Sequence, residues 1–83
     1  MKSHYFRAAR AITNKSIREV SEAVNIPRST LSRLENLSDT QEISKNKPPI
    51  SRLIKYYQKD GVDITIEGII MLSEFEEKKV THN

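Results

Sequence analysis

The strongest chemical signal in the chain lies in one short segment, where Arg28, Ser29, Ser32 and Arg33 stand at helical spacing. Residues three or four apart share a helix face, so these four fall on one side if the segment is helical. They offer two guanidinium forks and two small hydroxyls. A fork matches the O6 and N7 acceptors of guanine, and a hydroxyl can donate or accept. The set therefore suits the reading of base edges. Positioning it requires a rigid support, and the flanking residues supply one. Apolar residues recur at Ile17, Val20, Val24, Ile26, Leu31 and Leu34. That pattern fits two helices crossing steeply over a tight turn. Ser21 is small where the second helix must pass, and Asn25 tolerates the left-handed conformation that the turn needs. Pro27 pushes Ile26 out of helical geometry and suits the start of the second helix.

The other elements follow from periodicity and caps. Residues 4–13 form helix 1, with Tyr5, Ala8, Ala9 and Ile12 on one stripe. Ser16 with Glu19 makes a capping box that opens helix 2. Asn36 ends helix 3. Residues 37–48 are polar and read as a loop closed by Pro48 and Pro49. Ile50, Leu53, Ile54 and Tyr57 define helix 4, and Gly61 follows as its cap. The period then changes to two. Val62, Ile64 and Ile66 alternate as a strand, Glu67-Gly68 is a turn, and Ile69–Leu72 is a second strand. Ser73 with Glu76 makes another capping box, opening a short acidic helix to about Lys79. The fold class is mainly α: a four-to-five-helix bundle with a helix-turn-helix, plus a short C-terminal β-hairpin or strand. Residues 1–60 form the core unit, and 61–83 extend it.

Composition narrows the function. Eighty-three residues allow one small core. No cysteine is present, which excludes disulfides, thiolate metal sites and cysteine nucleophiles. His4 and His82 lie near opposite ends, and no metal-ligand spacing, phosphate loop or nucleophile–base pair appears. Neither an enzyme nor a cofactor is expected. The longest apolar run, Ile69–Leu72, is far too short for a membrane span. With no secretory signal, the expected location is the cytoplasm. Lys and Arg total 14 against 11 Asp and Glu. The first 36 residues hold seven bases and three acids, whereas 61–83 hold two bases and five acids. A basic body facing a polyanion, with an acidic end held away from it, fits this asymmetry.

The segments Arg7-Ala8-Ala9-Arg10, Ser16–Glu35 and Tyr56–Ile64 resemble the Cro/repressor-type helix-turn-helix domains of phages and bacteria, the Xre family. The resemblance spans about residues 5–66. It implies a helical DNA-binding core, usually dimeric, that acts in transcription control. It assigns base contacts to Arg28, Ser29 and Arg33. Thr30 and Ser32 fall near a phosphate or thymine methyl, and Asn36 falls at a phosphate-contacting position. It also pairs Arg10 with Glu35 as an ion pair tying helix 1 to helix 3. Two positions depart from the family. Ile17 replaces a glutamine that often contacts phosphate, leaving only its backbone N–H for that role. Asn25 replaces the turn glycine.

The expected function is a sequence-specific transcriptional regulator, most simply a repressor, that binds double-stranded DNA as a homodimer on an inverted repeat. Lys15 and the loop residues Lys45 and Lys47 would add backbone contacts, although a solvated loop fits Lys45 and Lys47 equally well. Tyr57 is read as packing, Tyr56 as exposed, and Lys55 and Lys59 as a solvated face. A lone hairpin is marginal in water and must pack on the helices or pair with another copy. Val62, Ile64, Ile66, Ile70 and Leu72 are the candidate dimerisation residues. An antitoxin or accessory protein that binds a partner through its C-terminal segment is the alternative.

Overall fold

Helix α1 spans Ser3–Ile12 and buries Ser3, Phe6 and Ala9. The expected stripe is therefore rotated. Phe6 is fully buried, Tyr5 is only half-buried, and Ile12 stands 49% exposed. Both stripes contain Ala9, and the wholly apolar ring of Phe6, with no hydroxyl to desolvate, occupies the core. The structure is a computed structural model, and it describes residues 1–38 and 41–72.

Helix α2 spans Ile17–Val24 and opens on the expected capping box. The Glu19 amide donates to Ser16 Oγ at 3.0 Å, and the Ser16 amide donates to the Glu19 carboxylate at 2.8 Å. These bonds hold the Glu19 carboxyl below the usual carboxylate range. Asn25 ends the helix with φ of 59°, the left-handed geometry expected of it. Ser21 Oγ donates to the Ile26 carbonyl at 2.5 Å and staples the turn. Pro27 precedes helix α3, Arg28–Glu35. Helix α4 spans Pro48–Gln58, with its two prolines in the first turn, where no intrahelical donor is needed. Gly61 follows with φ of 83° and turns the chain into the sheet.

Strands β1 (Val62–Thr65) and β2 (Gly68–Met71) pair antiparallel, with Val62 opposite Met71 and Thr65 opposite Gly68. The turn is thus Ile66-Glu67, one residue earlier than expected. Thr65 decides this. Its hydroxyl accepts from the Glu67 and Gly68 amides at 3.1 and 3.2 Å. Gly68, with φ of 144°, opens β2 in a conformation disfavoured for other residues.

The hairpin packs on α4 and α1. Val62 and Ile64 are buried in the same core as Phe6, Val20, Leu31, Leu53 and Tyr57. Loop 37–48 also departs from a solvated reading over its described part. Ile43 is buried, and its amide donates to the Met1 carbonyl at 2.9 Å. Ser3 Oγ donates to the Leu37 carbonyl at 2.8 Å. A single apolar residue among polar ones gives no periodic signal, which is why the sequence reading missed Ile43. The acidic helix expected from Ser73 lies outside the described residues.

Tyr57 is fully buried, as expected, but its hydroxyl has no hydrogen-bond partner among the described residues. Burial, reinforced by the Glu35 charge, pushes its ionisation well above the ordinary tyrosine range. An unpaired buried hydroxyl carries a desolvation penalty of about 1–3 kcal/mol. Tyr57→Phe removes that oxygen and keeps the ring, so the melting temperature should hold or rise. A fall of several degrees would mean that the hydroxyl is bonded in solution.

Candidate nucleic-acid interface

Leu31 and Glu35 form the underside of α3, at 0% and 3% exposure. Arg28, Ser29, Ser32 and Arg33 all stand exposed, and Asn36 stands exposed just past the helix end. The periodicity that buries Leu31 therefore frees this set. Thr30 lies half-buried at its margin. The face runs over eight residues, or roughly 12 Å of helix. None of its side chains carries a negative charge.

One ion pair fixes α3 to α1. Arg10 Nε donates to Glu35 Oε2 at 2.8 Å, and Arg10 Nη2 donates to Oε1 at 3.0 Å. Its remaining nitrogen, Nη1, donates to the Lys15 carbonyl at 3.2 Å. The bidentate fork holds the Arg10 guanidinium above its ordinary range, chiefly through the hydrogen bond to Glu35. A second link was not foreseen from sequence. Arg7 Nη1 donates to Asn36 Oδ1 at 3.2 Å, and Asn36 Nδ2 donates to the Ser32 carbonyl at 2.7 Å. The Asn36 amide nitrogen keeps one hydrogen for an outside acceptor. Arg7 joins the exposed basic margin of α3, although only an i,i+3 count on α1 relative to Arg10 hinted at it.

Other expected contacts are dispersed. Lys15 is turned toward α4: its Nζ lies 4.0 Å from Asp60 Oδ2 and 6.0 Å from the Tyr56 ring centre. Ile17 packs against the core, so its side chain contributes apolar contact and not a polar one. Lys45 and Lys47 are exposed, but Lys47 precedes α4 and Lys45 lines a groove between α4 and β1. Tyr56 is half-buried, not exposed, and meets the Tyr57 ring edge-on at 5.5 Å.

The apolar set assigned to dimerisation also divides. Val62 is 0% and Ile64 3% exposed within one chain, so these two belong to the core. The helices cover one face of the hairpin and take them. Ile66, Ile70 and Met71 remain outside, at 70%, 49% and 57%, and Leu72 is half-buried. Met71 was not among the expected residues.

Among the described residues, no group of His, Asp and Glu is placed to hold a metal, and no helix is long and apolar enough to cross a membrane. Comparison with family models, curated proteins and solved structures finds no match to this chain.

Proposed function

We propose that the protein is a sequence-specific DNA-binding regulator, with α2, the turn at residues 25–27 and α3 acting as a helix-turn-helix. The observation that carries this reading is the two-sided character of α3. Its buried side is clamped through Glu35, and its free side presents Arg28, Ser29, Ser32 and Arg33 without a competing carboxylate. A rigid helix with exposed forks is what a major groove of about 12 Å width can accept. Selection of bound duplexes from a random pool tests the reading. A recovered motif with guanine at defined positions supports it. A pool that stays random after repeated rounds overturns it.

The exposed hairpin residues support assembly as a two-fold dimer. Among the described residues the sheet has two strands, so the outer edge of β2 has no strand partner among them. Ile70 and Met71 lie on that strand, and Ile66 lies in the adjoining turn. Apolar edges of this kind are normally covered. Pairing β2 with its copy would supply a two-fold axis, and reading an inverted repeat requires that axis to hold two α3 helices about 34–36 Å apart. Replacing both Ile70 and Met71 with lysine should convert dimer to monomer in sedimentation while leaving the thermal melt cooperative. Wild-type chain that sediments as a monomer at micromolar concentration removes the hairpin dimer. The same patch would then favour a different protein as its partner.

A further inference from the structure

A second basic surface lies away from the exposed face of α3. The outward side of α4 carries Arg52 and Lys55, and Lys59 caps its C-terminal end, at positions i, i+3 and i+7, with Tyr56 among them. These four side chains, together with Val24 and Asn25, line an open groove of about 580 Å³ between α4 and the end of α2. Among the described residues, no carboxylate lines it. The two acids next to it along the chain are engaged elsewhere: Asp60 faces Lys15, and Glu22 faces Arg18. Arg52 is also held in place. Its Nε donates to the Val24 carbonyl at 3.2 Å, which occupies the negative end of α2 and leaves the terminal guanidinium nitrogens for another acceptor.

We propose that this groove is a docking site for the phosphate backbone of the DNA duplex that α3 reads. The proposal rests on the DNA-binding reading above and adds a separate contact surface to it. Position favours a nucleic-acid backbone over an acidic peptide. Asn25 lines the groove, and Arg28 opens α3 only three residues later, a separation of at most about 10 Å along the chain. A helix seated in a major groove of about 12 Å width has a phosphate strand on each side at comparable distance. The groove is therefore close enough to the N-terminal end of α3 for a flanking strand to reach it. Three cations along 10–11 Å of helix face also match the spacing of successive phosphates better than a single small anion. Lys55 and Lys59, which looked like a merely hydrated face in the sequence, are brought together here with Arg52 and the turn.

The test uses full-length protein and a random-sequence 30-base-pair duplex, so that no operator is needed. Binding is measured over a range of salt concentrations for wild type, for Lys55→Gln/Lys59→Gln, and for Arg28→Ala. Each lost phosphate contact should lower the slope of log affinity against log salt by about 0.9. The double glutamine variant should therefore lose close to two units of slope and bind random duplex at least tenfold more weakly near physiological salt. Its preference for any sequence recovered by selection should be unchanged. Arg28→Ala should show the opposite pattern, with preference lost and the slope largely kept. An unchanged slope in the glutamine variant overturns the groove proposal even if the protein binds DNA. Wild-type protein that binds no duplex overturns the DNA-binding reading and this proposal together. A glutamine variant that loses binding to an acidic peptide but not to duplex assigns the groove to a protein partner and overturns the proposal.

Discussion

Arg10→Ala should lower stability by about 3–5 kcal/mol, the range for stripping one partner from a buried pair. The reason is asymmetric burial. The Glu35 side chain is 4% exposed and Arg10 is 24% exposed. Removing Arg10 leaves a carboxylate sealed beneath α3 without its two charge-assisted bonds. It also frees the Lys15 carbonyl that Arg10 Nη1 had engaged. Removing Glu35 instead leaves a guanidinium that can turn toward water, so Glu35→Ala should do less damage. The double variant should be more stable than Arg10→Ala alone, because it leaves no stranded charge. A thermal melt of the three variants gives the coupling directly. Small domains of this kind have only about 5–15 kcal/mol in total. Arg10→Ala should therefore lower the melting temperature by more than about 10 °C. Equal and additive losses from the two single substitutions would show that the two side chains act independently.

Arg28→Ala and Arg33→Ala should each weaken binding to a selected site by about 1–3 kcal/mol, or roughly 5- to 150-fold, with melting temperature unchanged. Both side chains are exposed and make no hydrogen bond or ion pair among the described residues, so the fold does not depend on them. A fork that reads guanine loses its energy only on the correct base. Affinity for scrambled duplex should therefore fall much less, by the amount of one phosphate contact at most. Arg33→Lys is a sharper version of the same test. Lysine keeps the charge and loses the planar fork, so discrimination should drop while non-specific affinity is retained. Loss of equal size on selected and scrambled duplex would assign both arginines to the backbone.

The two outcomes separate positioning from recognition. On the proposed function, the Arg10–Glu35 clamp would act on DNA only through α3, whereas Arg28 and Arg33 would act without the clamp being disturbed. A folded Glu35→Ala protein that keeps its sequence preference at reduced melting temperature would fit that division.

What the sequence determines by itself is local. Ser16 with Glu19 specifies a helix start, Asn25 a left-handed helix end, and Ile50, Leu53, Ile54 and Tyr57 a buried helix face, and all three appear as read. Each depends on residues within one or two turns, so its free energy is written in the neighbouring side chains. The free side of α3 is legible for the same reason, since burying Leu31 leaves Arg28, Ser29, Ser32 and Arg33 outside. The Arg10–Glu35 pair became legible through resemblance, because 25 residues separate its partners. Tertiary structure decided the rest. Tyr5 and Phe6 differ by only 100° around α1, and only the packed core selects Phe6. Alternation marked Val62, Ile64 and Ile66 as one apolar face, but the Thr65 hydroxyl closes the turn early and leaves Ile66 outside. The sequence marked the hairpin as apolar but passed over Met71, and the division between core and surface depended on how much of one face α4 and α1 cover. Lys15 was drawn to Asp60, and Arg52 was set beside Asn25, by contacts between elements distant in sequence. Periodicity reports which residues share a face; what that face meets is fixed only when the elements pack.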